Sequence, residues 1–288
     1  MKKKPSGAGY LVFLELAVLA VLLVLVLAKG IGSKSGIKTP ATEKENKKEE
    51  SGNQHTTEEN DVSAEVEAKL EEMSVEELAA QVFLITPEML TGMNQVTAAG
   101  KTTQDAINAY PVGGFVYNNS NFKSQDQMQK MLSNVQTYST ERIGVPMLLA
   151  VAEGSGAENS PIAENNQIEV IPVLQDQAEN YQELTVEADC VMHIDFLSEE
   201  KNEYLRKKIG DEGILITSSM SEPEITGAHA PGEVAVAAIN AGNDMIYLPA
   251  DFQAAYQAVV DAINSGEIPM ERIQEAVGRI LTKKMSSI

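Results

Sequence analysis

GILITSSM, residues 213–220, decides how the rest of the chain is read. Three consecutive aliphatic residues, Ile214-Leu215-Ile216, run into Thr217, Ser218 and Ser219. A short, wholly apolar run bounded by a glycine suits a strand buried on both faces, the kind found in parallel sheets. The hydroxyl residues then fall where that strand leaves the core. The stretch predicts a buried parallel strand that delivers Ser218 to a rim.

Other segments repeat the pattern. Val82–Ile85, Gly113–Tyr117 (GGFVY), Val145–Val151 (VPMLLAV), Ile168–Leu174 (IEVIPVL), Cys190–Ile194 and Met245–Leu248 all read as short strands. Between them lie helical patterns. A helix is expected over about 66–73, and Ser74-x-x-Glu77 has the capping-box signature before Leu78-Ala79-Ala80. Helices are also expected over 102–110, 175–186, 198–209, 232–240, 251–264 and 269–284. Ser124-x-x-Gln127 opens another, whose apolar residues Met128, Met131, Leu132 and Val135 fall on one face. Pro231 stands where a first helical residue belongs. Alternating strands and helices predict an α/β fold with parallel strands, a sheet or a (β/α) barrel. About seven strands are legible, and the polar stretch GAENSPIAENNQ (156–167) leaves no room for a further strand and helix. The expected fold is therefore a TIM-barrel-like (β/α) domain, incomplete or rearranged.

The N-terminal part reads differently. MKKK is followed by LVFLELAVLAVLLVLVLA (11–28), long enough to span most of a bilayer core as a helix. The basic residues before it orient the N-terminus inside and the remainder outside. The alternative is a cleavable signal ending near Val26-Leu27-Ala28. Residues 29–61, almost free of apolar side chains, are expected to be a disordered linker. The organisation expected is a basic cytoplasmic segment (1–9), an anchor (10–28), the linker, and a folded domain (62–288), at the cell membrane with the domain outside.

Charge excludes one class of partner. With 22 basic and 42 acidic residues the net charge is −20, which repels nucleic acid. The single cysteine, Cys190, permits no internal disulfide and no CxxC motif. The three histidines, His55, His193 and His229, show no zinc-ligand spacing, so no metal or other cofactor is expected.

Four longer stretches carry a resemblance. They are MSVEELAAQVFLI, YPVGGFVYNN, LRKKIGDEGILITSSM and AVAAINAGNDMIYLPADFQAAYQAVVDAINSGEIPMERIQEAVGRIL. Together they resemble the N-terminal barrel domain of glycoside hydrolase family 3, in its β-N-acetylhexosaminidase branch. The resemblance is strongest over about 205–281 and weaker, in the same order, over about 73–151. It implies a barrel with its site at the C-terminal ends of the strands, and retaining hydrolysis by a carboxylate nucleophile about 5 Å from an acid/base group.

The same resemblance shows what is absent. The family nucleophile is the aspartate of an I-T-D-S strand end, and Ile216-Thr217-Ser218-Ser219 puts Ser218 there. The family's sugar-gripping aspartate, in V-D-E-x-G-G, is matched by Ala152 in VAEGSG. The loop K-H-F-P-G-H-G, with the acid/base histidine, has no counterpart. An alcohol near neutral pH is protonated and attacks only beside a base. A catalytically inactive relative that binds cell-wall glycan or a protein partner is expected. The alternatives are an active exo-β-N-acetylglucosaminidase with displaced catalytic residues, and a purely structural scaffold. Candidate ligand contacts at the rim are Glu153, His193, Asp195, Glu222 and Glu224; for His193 the competing reading is a hydrogen-bonded core histidine. Asn243-Asp244, after Ala241-Gly242, reads as a helix end and a turn that sets the last strand.

Overall fold

In the computed structural model the described residues are 55–152, 168–174 and 188–286. They all fall in one unit, residues 51–288. The expected anchor, most of the linker, the helix over 175–186, and Glu153 lie outside the described residues. Among the described residues no helix is long and apolar enough to cross a membrane.

The described chain opens with α1 (His55–Glu72) and α2 (Val75–Gln81). Helical backbone thus begins inside the stretch expected to be linker. The capping box is present: Ser74 Oγ accepts from the Glu77 N–H, and the Glu77 carboxylate accepts from the Ser74 N–H. There follow β1 (Phe83–Ile85), α3 (Pro87–Thr91), α4 (Lys101–Ala109), β2 (Gly114–Val116), α5 (Gln125–Ile143) and β3 (Leu148–Ala152). Ser124 caps α5 through the Gln127 N–H, and Met128, Met131, Leu132 and Val135 are buried along it. Next come β4 (Glu169–Ile171), β5 (Val173–Leu174), β6 (Cys190–His193), α6 (Glu199–Ile209) and β7 (Ile214–Thr217). The last elements are α7 (Pro223–Thr226), α8 (Pro231–Asn240), β8 (Ile246–Tyr247), α9 (Phe252–Ser265) and α10 (Met270–Ser286).

All strand pairs are parallel. They form a five-stranded sheet, β4-β3-β2-β1-β8, and a three-stranded sheet, β5-β6-β7. Pro172 divides what would otherwise be one strand. It has no N–H to give a ladder, so β4 pairs with β3 while β5 pairs with β6. Backbone hydrogen bonds still link the sheets there and at the opposite margin. The Met192 N–H donates to Pro172 O at 3.0 Å, the Thr217 N–H to Met245 O at 3.0 Å, and the Met220 N–H to Tyr247 O at 3.1 Å. Among the described residues the ladders thus make an α/β domain of two parallel sheets, joined at these margins by single backbone bonds and the parallel bridge Ile216–Met245.

Gly113 and Gly114 show why this core needs glycine at one place. A Cβ on Gly113 would stand 1.9 Å from Gln81 O, and one on Gly114 would stand 2.7 Å from Leu148 O. The backbone of β2 approaches its neighbours too closely for any side chain there.

α10 closes the N-terminal side of the strands. Its apolar stripe, Ile273, Ala276, Val277, Ile280 and Leu281, is buried, as helical spacing demands. Its basic side chains then reach the entrances of five strands. Arg279 Nε donates to Asp211 O ahead of β7 (2.7 Å), and Arg279 Nη1 to Asp244 Oδ1 ahead of β8 (3.0 Å). Lys283 Nζ lies 2.9 Å from Asp189 Oδ2, before β6, and 3.4 Å from Glu169 Oε2, at the start of β4. Lys284 Nζ donates to Gln81 Oε1, ahead of β1, at 2.7 Å. One helix thus ties the N-terminal ends of these strands together.

Candidate functional site

The C-terminal ends of β6 and β7 place Ser218 as the sequence predicts. Beyond β7 the Ser218 N–H continues the ladder by donating to His193 O at 2.9 Å. Ser218 is half-buried, at the margin between core and solvent. Side chains along a strand alternate between faces, and partners across a parallel pair share one. Val191 and its partner Leu215 pack with Leu205 and Ile209 of α6, so they face the helices. Met192 and Ile216 belong instead to the main core. Ser218, two residues past Ile216, faces that interior, at its mouth. His193, two residues past Val191, faces the helix layer. Adjacent in the backbone, the two present their side chains to opposite sides of the sheet.

His193 is consequently a buried structural residue, 1% exposed. Its Nε2 lies 2.9 Å from Asn243 Oδ1. Asn243 Nδ2 is spent on Phe196 O (2.6 Å) and Ala238 O (2.9 Å), so Asn243 Oδ1 must accept and Nε2 must carry the hydrogen. Among the described residues the bare Nδ1 has no hydrogen-bond partner. Burial pushes the imidazole down to about 4, and the Lys201 charge adds to this, while the Asn243 hydrogen bond opposes it. The ring is neutral at pH 7 and does not face Ser218.

The remaining candidates scatter. Asp195, just past β6, forms an ion pair with Lys201 of α6; both side chains are about one-third exposed, at 34% and 30%. Glu222 and Glu224 are exposed at the start of α7. Among the described residues, no histidine or carboxylate is hydrogen-bonded to the Ser218 hydroxyl. Ala152, matched to the sugar-gripping position, is buried at the end of β3 and offers only a methyl group. The chemistry of this rim is that of hydroxyls. Thr217 Oγ1 accepts from the Tyr247 N–H (3.0 Å), and Ser221 Oγ donates to Leu248 O (2.8 Å). Leu248 has φ +43°, a conformation unfavourable for a branched side chain, held in place by the Ser221 bond. The loops after β1 and β2 are tied to each other. Glu88 Oε1 accepts from the Val96 N–H (2.7 Å) and from Asn121 Nδ2 (2.6 Å).

A charged centre that the motifs did not reveal lies at the other end. The turn read at 241–244 is there, with Gly242 at φ +106°, but Asp244 does more than turn the chain. It is 0% exposed and accepts from the Leu215 N–H at 2.9 Å. Arg206 pairs with its Oδ2, while Arg279 and Arg272 stand 3.0 and 3.5 Å from its Oδ1. A cleft of about 560 Å³, lined by Glu199, Arg206, Gly242, Arg272, Glu275 and Arg279 among others, adjoins this group. Its guanidinium groups donate to Asp244 and to carbonyls, including Gly213 O, Ile239 O and Asp211 O, while the buried Arg272 Nη1 has no hydrogen-bond partner among the described residues. They tie α6, the α8–β8 turn and α10 together.

The described residues thus form an α/β domain with parallel strands. The comparisons narrow this. Residues 200–283 match a family model described as "Glycosyl hydrolase family 3 N terminal domain", so the resemblance read from the sequence holds over that segment. No curated protein sequence matches the chain. Among solved structures, the fold is similar to a glycoside hydrolase family 3 β-N-acetylglucosaminidase from Paenibacillus sp. str. FPU-7, with TM-score 0.60 and 16% identity. That match covers 75% of this chain and 63% of the other, so the chain spans less than two thirds of that enzyme. A β-N-acetylhexosaminidase from Beutenbergia cavernae DSM 12333 gives TM-score 0.57 and 17% identity over 74% of this chain and 99% of the other. An exo-1,3/1,4-β-glucanase from a Pseudoalteromonas species gives 0.57 and 12%, over 79% and 55%. At these identities the likeness is one of fold.

Proposed function

We propose that this chain is a catalytically inactive relative of family 3 β-N-acetylhexosaminidases, anchored at the outer face of the cell membrane, that binds cell-wall glycan at its C-terminal strand ends. The observation that carries this reading is Ser218. It stands at the end of β7, on the interior face, where the matched strand of the family carries its nucleophilic aspartate. A hydroxyl there supplies no negative charge for an oxocarbenium-like transition state, and it has no hydrogen-bonded base among the described residues. His193 is turned to the helices, and Asp195 is paired with Lys201. Sugars nonetheless bind through hydroxyl groups and backbone, and the rim offers Ser218, Ser219 and Ser221.

The sequence of the anchor supports the location. A basic tetrapeptide followed by a long apolar run favours an orientation with the domain outside. The test has two arms. Hydrolysis of a chromogenic β-N-acetylglucosaminide is expected to stay at the background rate. Pull-down on insoluble wall glycan is expected to retain the full-length chain. Turnover by the wild type would establish an active exo-glycosidase instead, and failure to bind glycan would leave an interaction scaffold.

A further inference from the structure

α10 ends in a lysine where its pattern calls for an apolar residue. The buried stripe 273, 276, 277, 280, 281 continues at 284, and Lys284 is 3% exposed. Among the described residues its Nζ has one hydrogen-bond partner, the neutral amide oxygen of Gln81. That amide is itself committed, for Gln81 Nε2 donates to Pro111 O at 2.6 Å. The bond from Lys284 therefore joins the last turn of α10 to the entrances of both β1 and β2.

Among the described residues, the charges around this amine are paired elsewhere or exposed. On α10 itself, Lys283 is held by Asp189 and Glu169, and Arg279 by Asp244. On α2, Glu77 pairs with Arg142, and Glu76 is exposed. On α1, Lys69 pairs with Glu72. β7 brings no charged side chain, and α8 carries Glu233 in its exposed first turn. An ammonium without a counter-ion in an apolar site is strongly disfavoured.

We propose that the last turn of α10 is a proton-sensitive clasp, gripping the N-terminal end of the strands while the Lys284 amine is neutral and loosening when it is protonated. Burial lowers the amine to about 7, against an ordinary value of 10.5. An opened turn returns it to water and to the ordinary value. Between those two values the open state binds the proton and the closed state does not, so closure gains with rising pH. Below about 7 both states are protonated and the dependence ends. The clasp is thus weakest at neutral and acid pH and tightens on the alkaline side.

Amide hydrogen exchange on the full-length chain, corrected for intrinsic rates, tests this between pH 6 and 9.5. Protection of residues 281–286 is expected to be flat below pH 7 and to rise about tenfold per unit above it. Protection in α8 should not follow that slope. Lys284→Met should raise protection of 281–286 at pH 7 and abolish the slope. Should that variant fold poorly, Gln81→Glu gives a second route: a carboxylate beside Nζ holds the ammonium and should shift the rise to higher pH. A wild-type slope of zero, an equal slope in α8, or an unchanged slope in Gln81→Glu would each overturn the clasp.

Discussion

The two ends of the strands answer polar chemistry in opposite ways. At the N-terminal ends, charges are paired: the buried Asp244 meets three guanidinium groups and a backbone N–H, and the partly buried Lys283 bridges Asp189 and Glu169 nearer the surface. At the C-terminal ends of β6 and β7, the residues are hydroxyls; Asp195 beside them is partly exposed and paired with a lysine, and Glu222 and Glu224 are exposed. In barrel-type folds the first end carries stability and the second carries function. Among the described residues, the first end carries the paired charges and the second presents hydroxyls.

That contrast can be broken most directly at Asp244. Asp244→Asn leaves three arginines facing a neutral side chain, and removal of one member of a buried ion group costs about 3–5 kcal/mol. Urea unfolding should show a loss of that size; a loss below ~1 kcal/mol would remove the charged centre from the account of stability. The next effect concerns acid. His193 titrates at about 4 when folded and 6.5 when free, so the unfolded state takes up the proton first. Its contribution is intact above pH 6.5 and falls as pH drops to about 4, by on the order of 3 kcal/mol. His193→Gln should flatten that part of the stability–pH curve; an unchanged curve would mean that the ring is not buried as described.

Smaller effects belong to the rim. Ser221→Ala removes the hydrogen bond to Leu248 O and should cost about 1 kcal/mol, read as a lowered melting temperature. Glu222→Ala and Glu224→Ala, both exposed, should change stability by no more than ~0.5 kcal/mol. A larger loss at either would show that α7 takes part in the packing of this end.

Much of this contrast was legible in the sequence at one end only. The strand ends were plain because apolar runs stop at hydroxyls, as at Ile216-Thr217-Ser218. The helix starts were plain because Ser74 and Ser124 stand three residues before Glu77 and Gln127. The short helices α3 and α7 were missed, although Thr86-Pro87 and Glu222-Pro223 each put proline at a first helical position. The orientation of His193 was available from alternation, since Val191 precedes it by two. Pro172 breaks the run IEVIPVL into two ladders, which the sequence reads as a single strand. The Asp244 centre was not legible, because its arginines come from positions 206, 272 and 279, and only the folded chain brings them to one carboxylate. Lys284 falls between these cases: the stripe on α10 points to it, but its partner, Gln81, lies at the far end of the domain's sequence.

The central claim is that Ser218 marks a rim without catalytic machinery. It is tested most directly by the rate of hydrolysis of a chromogenic β-N-acetylglucosaminide by the wild type and by Ser218→Asp. Both should remain at background, because restoring a carboxylate at the nucleophile position supplies no proton donor, and residues that act together do not recover singly. Turnover by the wild type, or its appearance in Ser218→Asp, would show that another residue provides the acid and would contradict the account.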